Sequence, residues 1–284
     1  MELEQYLKER NAPGTVKRYL RETGLFFSSV ETPETVGYQD IMDYLGRLRA
    51  KSKTGGIACS LYAIKKYYSY LVATGRRKDN PARSIRLRDN RGRDIQLQDL
   101  FTPEELEQLL ERKERYPVLK NRNKVIISLL IDQGLTNGEI KNLALEDINL
   151  EAGTVYIKKG RKTNARTLKL QSRQVYWLMN YIENDRRKLL KAGSNKLIIS
   201  KLGTEETGEG IGYVIETCRH LFPDRRLNAR TIRQSVITNL LKAGKDLRVV
   251  QVFAGHRYPS ATEKYKQTEV EELKAQIMKY HPLG

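Results

Sequence analysis

The sequence predicts a mainly α-helical protein of two domains, with a small β-hairpin or sheet confined to the second. Three observations carry that expectation. The chain, at 284 residues, is longer than one compact core usually needs. Apolar residues recur at helical spacing in both halves, as in Ile57, Leu61, Ile64, Tyr68 and Leu71. One stretch changes period: around KGRKTNA, the residues from Val155 to Lys158 and from Arg166 to Leu170 alternate apolar and polar, the pattern of a hairpin.

In chain order, residues 1–75 predict four helices. The first, Glu2 to Lys8, ends before Asn11, Pro13 and Gly14. Thr15 offers an N-cap for the second, with Val16, Tyr19, Leu20 and Leu25 on one face. The third runs from Tyr38 to Arg49 with Ile41, Tyr44, Leu45 and Leu48 as its buried stripe, and the fourth from Ile57 to Thr74, stopped by Gly75. Residues 76–98 hold eight basic side chains and few apolar ones, so they predict a basic linker.

The second domain is expected over 99–268. It opens on Thr102-Pro103-Glu104-Glu105, an N-cap with proline at the first helical position and a glutamate at the third, predicting a helix to Arg115. An apolar helix follows from Asn121 to Gln133, then GLTNGEIKNLALEDINL, then the hairpin. Ser172 to Lys191 and Ile211 to Leu221 read as helices, with a short strand from Leu197 to Ser200 between them. Asn228 or Thr231 starts a helix with Ile232, Val236, Ile237, Leu240 and Leu241 inward, so Arg233 must emerge at its start; an inward arginine there calls for an anion. Asp246 to Phe253 is a short helix turning at Ala254-Gly255. The tail, 269–284, contains an amphipathic helix from Glu269 to Tyr280, suited to packing on its own domain or on a neighbouring copy.

Charge then narrows the partner. Lys and Arg number 52 against 34 Asp and Glu, a net charge of +18. Residues 1–95 carry 19 basic and 11 acidic side chains, leaving 33 and 23 in the remainder, so both halves are basic. Such a surplus implies double-stranded DNA or another anionic polymer surrounded by the chain, because each neutralised phosphate releases counterions. Lys65 and Lys66, with Tyr67 and Tyr70, are candidates to line a DNA backbone; Arg76, Arg77 and Lys78 in the linker are candidates to track phosphates. Cys59 and Cys218, far apart in helical patterns, read as reduced core residues. No export signal or membrane-length apolar run is visible, so a cytoplasmic protein is expected.

The chemistry concentrates between Arg230 and Tyr265. Arg230 and Arg233 lie one helical turn apart, His256 follows Gly255, and Tyr265 comes nine positions later. Guanidinium groups match the non-bridging oxygens of a phosphodiester, an imidazole can donate a hydrogen bond, and a tyrosine oxygen can form a phosphoryl ester. No metal ligand set and no cofactor is needed.

This stretch resembles the C-terminal signature of the tyrosine recombinases, the phage integrase and Xer-like family: His-x-x-Arg, then Gly-His, then Tyr nine residues on. Arg233, Gly255, His256 and Tyr265 match in order, with Arg230 at the position of the first His. Gly134, Leu135, Glu139 and Ile140 are similar to the family's Gly-Leu-Arg-x-x-Glu-Leu, with Thr136 where the first catalytic arginine would stand. The resemblance implies a helical core-binding domain at 1–75 and a mixed α+β catalytic domain at 99–268. It implies Tyr265 as nucleophile, Arg233, His256 and Arg230 on the phosphate, and Lys159 on the hairpin as general acid, with Lys158 and Lys162 as rivals. It also implies a tetramer on two duplexes that cleaves and rejoins DNA through a 3′-phosphotyrosine. With Thr136 in place, Arg161, Arg166 and Arg230 are the candidate compensating cations. The alternatives are a DNA-binding or architectural protein that kept the fold and lost turnover, and a topoisomerase-like nicking and rejoining activity.

Overall fold

The computed structural model describes residues 2–88, 95, 97–160, 163–191 and 193–265. The expected tail helix, the end of the linker at 89–94, and Arg161 and Lys162 lie outside the described residues. The chain divides into two compact units, Met1–Arg93 and Asp94–Gly284.

The first unit is four helices: α1 (Leu3–Lys8), α2 (Pro13–Phe27), α3 (Tyr38–Arg49) and α4 (Thr54–Ala73). Proline at the first turn of α2, with Ala12 as N-cap, starts that helix earlier than Thr15. The expected stripe on α2 is also rotated: Leu25 is exposed and Phe26 is buried, edge-on to Tyr44 at 5.1 Å between ring centroids. α4 supplies the middle of the core with Ile57, Leu61, Ile64, Tyr68 and Leu71, all buried. The Tyr68 hydroxyl donates to the Pro33 carbonyl at 2.7 Å, which satisfies its one polar atom. Tyr67 and Tyr70, expected toward DNA, are instead core residues: both are buried, and Tyr67 meets Phe27 edge-on at 4.7 Å. A phenyl ring removed from water outweighs a surface role for its hydroxyl.

The linker expected from residue 76 begins later. Ala82 and Ile85 are buried in the core of the first unit. Lys65 Nζ donates to the Ile85 carbonyl at 2.6 Å and to that of Arg83 at 3.2 Å, and Asn80 Nδ2 donates to the Lys65 carbonyl at 3.0 Å. Arg77 Nη1 donates to the carbonyls of Glu34 and Val36 at 2.8 Å each. Lys65 and Arg77 therefore staple the segment down, while Arg76 and Lys78 are exposed and Lys66 is half-buried.

The second unit is built around α6 (Lys120–Ile131), in which every residue from Val125 to Ile131 is buried. Before it, α5 (Pro103–Gln108) carries the expected capping box, Thr102 with Glu105, but stops short of Arg115 because a 3-10 turn at Leu109–Glu111 closes it. α7 (Asn137–Asn142) leads into a three-stranded antiparallel sheet of β1 (Ile148–Asn149), β2 (Thr154–Ile157) and β3 (Arg166–Lys169), in that spatial order, with Val155 opposite Leu168. Val155 and Ile157 point into the core and Tyr156 outward, the alternation that fixes register. The remaining helices are α8 (Ser172–Asn180), continued through a π turn into α9 (Arg186–Leu189), then α10 (Gly208–Glu216), α11 (Ala229–Lys242) and α12 (Leu247–Ala254). The strand expected at Leu197 to Ser200 forms only isolated bridges, Ala144 with Lys196 and Ile199 with Glu205; its apolar run reflects burial, not a ladder. No helix among the described residues is long and apolar enough to cross a membrane. Cys218 is buried and Cys59 half-buried, both with free thiols.

Candidate active site

Asn228 begins α11: its side chain accepts from the backbone N–H of Arg230 and of Thr231, which leaves Arg233 one turn inside the helix. Arg233 is 8% exposed. Its Nη1 donates to the Gly134 carbonyl at 2.6 Å, its Nη2 donates to the Ala254 carbonyl, and Glu139 Oε2 lies 3.8 Å from Nη1. Burial lowers the guanidinium's pKa from its ordinary value, against the pull of Glu139, and an arginine nevertheless stays charged.

Thr136 is the N-cap of α7. Its Oγ1 accepts from the Glu139 amide at 3.2 Å and donates to Glu139 Oε2 at 3.0 Å, while its own amide donates to the same oxygen at 3.0 Å. The second carboxylate oxygen, Oε1, accepts from Arg166 Nη1 at 2.7 Å. Burial would raise the Glu139 carboxyl, but the hydrogen bond and charge of Arg166, the Thr136 amide and Arg233 together hold it below its ordinary value. The Arg166 side chain is 2% exposed, and its Nε and Nη2 are buried with no hydrogen-bond partner. Two guanidiniums thus share one carboxylate, leaving a buried excess of one positive charge with unused donors, an arrangement that favours an anion.

Gly255 makes room for this. It ends α12 at φ +68, the left-handed region, and a Cβ there would sit 2.5 Å from Arg166 Nη1 and 3.0 Å from its Cζ. Gly255→Ala is expected to cost about 1–2 kcal/mol for the backbone alone, and more as Arg166 is pushed off Glu139. A fall in the denaturant midpoint checks this.

The turn after Gly255 meets the hairpin. The Asn164 amide donates to the Gly255 carbonyl at 2.9 Å, and Thr163 and His256 form an antiparallel bridge. His256 is half-buried; its Nδ1 lies 2.8 Å from Thr262 Oγ1. Burial, with Arg233 and Arg166 nearby, lowers its pKa to about 4, so the imidazole is neutral near pH 7. Tyr265 stacks on it with ring centroids 6.2 Å apart and planes inclined at 17°. The tyrosine ring lies 9% exposed among Ile237, Leu241, Val250 and Ala254. Burial raises the phenol's pKa, while Arg233 and Arg230 pull it down.

Of the expected site residues, the structure brings Arg233, His256, Tyr265 and Arg166 together. Arg230 is exposed and acts on the phenol electrostatically. Lys159 is exposed on the arm beyond β2 and lines a cavity of about 410 Å³ with Thr136, Glu139 and Thr163. Its rival Lys158 is ion-paired with Glu146 at 2.7 Å and Asp147 at 3.3 Å, and Lys162, like the candidate cation Arg161, is outside the described residues. Reasoning from sequence overlooked Thr262, and Thr136 as a cap; the Thr-x-x-Glu spacing at 136–139 was the available signal for the latter. Among the described residues no group of three or more His, Cys, Asp or Glu is placed to hold a metal ion.

A helical fold carrying a small antiparallel sheet, with a tyrosine stacked on an imidazole beside two buried guanidiniums, is in keeping with the tyrosine-type site-specific DNA recombinases that the sequence resembles. Residues 99–272 match the phage integrase family, more than half of the chain, and the chain belongs to that family. It is 28% identical over 255 residues to tyrosine recombinase XerD of Oceanobacillus iheyensis, covering 88% of this chain and 84% of that protein. It is 29% identical over 292 residues to tyrosine recombinase XerC of Halalkalibacterium halodurans, covering 98% and 95%. Among solved structures, XerH site-specific recombinase bound to difH substrate in a pre-cleavage complex has the same fold, with a TM-score of 0.71 at 18% identity over 94% of this chain and 82% of that one.

Proposed function

We propose that this recombinase cleaves and rejoins duplex DNA by attack of Tyr265 on a phosphodiester. The phenolic oxygen bonds to phosphorus as the phosphorus–O5′ bond breaks, giving a 3′-phosphotyrosine and a 5′ hydroxyl. The phenol's proton is lost to solvent, and the departing O5′ takes one from Lys159, which stands on the hairpin arm beside the Thr136 cavity. Arg233 neutralises the phosphoryl oxygens, His256 donates a hydrogen bond to them, and Arg230 holds a phosphate from the exposed start of α11. Arg166 contributes the charge that an arginine at position 136 would have supplied. Rejoining is the same displacement reversed by a 5′ hydroxyl, so the link conserves the bond and no external energy source enters.

The observation that carries this reading is the buried excess of positive charge where Arg233 and Arg166 share Glu139, next to Tyr265. The enzyme would act as a tetramer on two duplexes in the cytoplasm, in the service of a mobile element, with Lys66, Arg76 and Lys78 meeting DNA from the first unit. To test it, duplexes selected for binding from a randomised pool are nicked on one strand so that the short fragment bearing the new 5′ hydroxyl escapes after cleavage. A covalent protein–DNA adduct mapped to Tyr265 is expected. Retained binding with no adduct would leave a DNA-binding protein, and relaxation of supercoils by monomer would favour the topoisomerase-like activity.

A further inference from the structure

The group that holds His256 is not part of the reading above. Thr262 is fully buried, and its Oγ1 lies 2.8 Å from His256 Nδ1. It sits in the helical residues 260–265, one turn before Tyr265, so both side chains lie on the face turned to the imidazole. The turn starts at Pro259, whose carbonyl accepts from the Thr262 amide at 2.7 Å. A single short helical turn thus carries both the tyrosine stacked on His256 and the hydroxyl bonded to it.

A neutral imidazole has one N–H, on Nδ1 or on Nε2, and the partner of one nitrogen decides the state of the other. Burial and the charges of Arg233 and Arg166 outweigh the pull of Glu139 on His256, so the ring is neutral near pH 7 and the choice is a tautomeric one. If the ring is to donate to a phosphoryl oxygen, the proton must be on Nε2. Nδ1 must then accept, and the group placed to donate to it is the Thr262 hydroxyl.

We propose that Thr262 is a positioning residue: its hydroxyl donates to His256 Nδ1, fixes the Nε2–H tautomer, and so couples the seating of the Tyr265 turn to a histidine ready to donate. This rests on the role of His256 in the proposed reaction. The coupling is physical, because displacing residues 260–265 withdraws the nucleophile and the tautomer-setting hydroxyl together.

The test has two parts. In the DNA-free wild-type protein, ¹⁵N chemical shifts of the His256 ring, assigned against a His256→Gln variant, read the tautomer directly. Protonation at Nε2 is expected, and protonation at Nδ1 would overturn the proposal whether or not the protein cleaves DNA. On the nicked duplex, Thr262→Val is expected to slow adduct formation about 10- to 100-fold at saturating DNA, by analogy with the outer partners that orient metal-bound histidines. DNA affinity should be unchanged, and Thr262→Ser should stay within about threefold of wild type. Wild-type cleavage by Thr262→Val would refute the proposal while leaving the reaction in place; absence of an adduct from the wild-type enzyme would refute the reaction, and the tautomer would still be read. Should Thr262→Val misfold, the serine variant and the ring shifts decide the matter.

Discussion

Tyr265→Phe is expected to abolish the covalent adduct while leaving the fold and DNA binding intact. The substitution removes one oxygen. The ring that packs among Ile237, Leu241, Val250 and Ala254 remains, so the stability of the second unit should change little. The proposed reaction has no second route to the phosphoryl link, and removal of a covalent nucleophile costs on the order of five to six decades in rate. The measurements are a denaturing gel for adduct and a mobility shift for binding. An adduct formed by the phenylalanine variant at the wild-type rate would place the nucleophile elsewhere. The pH dependence of the wild type follows from the same burial. Because the phenol's pKa lies above its ordinary value, it is protonated at rest at neutral pH, and cleavage at limiting DNA should rise as pH increases from about 7 to 9. His256, with a pKa of about 4 in the DNA-free protein, is already neutral above pH 5, so cleavage at limiting DNA, which reports the free enzyme, should show no inflection attributable to it between pH 5.5 and 8.

How much of this was legible depends on how each residue makes its signal. Among the described residues, helices read from periodicity are present because long amphipathic segments repeat their signal: α4 buries Ile57, Leu61, Ile64, Tyr68 and Leu71, and α11 buries Ile232, Val236 and Ile237. The alternation of Val155, Tyr156 and Ile157 marked β2. β1, two residues long, is too short for any alternation to show. Residues 76–88 looked like linker because only Ala82 and Ile85 are buried there, and most of their attachment is through hydrogen bonds from Lys65, Arg77 and Asn80, which have no period. Tyr67 and Tyr70 misled for the opposite reason, since a polar tip hides how much apolar area a tyrosine buries. In the site, the spacing of Arg233, Gly255, His256 and Tyr265 was plain in one dimension. Arg166 reaches Glu139 across 27 positions, and its fit depends on the missing Cβ of Gly255, a relation that exists only in three dimensions.

The largest effect after loss of the nucleophile is expected at Arg166, and the difficulty is to separate its charge from its place in the fold. Arg166→Gln leaves Glu139 buried with the more distant Arg233 as its remaining ion-pair partner among the described residues, and breaking a buried ion pair from one side typically costs about 3–5 kcal/mol. A loss of cleavage in that variant alone would be ambiguous. Pairing it with Glu139→Gln removes both charges, and a carboxamide oxygen can still accept from the Thr136 amide and close the α7 cap. The double variant is therefore expected to regain most of the stability, read from its denaturant midpoint. Cleavage should nevertheless remain about 100- to 1000-fold below wild type, the scale of one lost transition-state donor, because Arg233 is then, among the described residues, the one buried cation left beside Tyr265. If the double variant instead cleaves at the wild-type rate, Arg166 serves only to neutralise Glu139. Thr136→Arg in the double variant then asks where the charge must stand. The new guanidinium would give up the threonine cap, costing about 1 kcal/mol, and would emerge at the cavity that Lys159 lines. Rescue of cleavage there means that the pocket needs a second cation and tolerates its delivery from either side of Glu139.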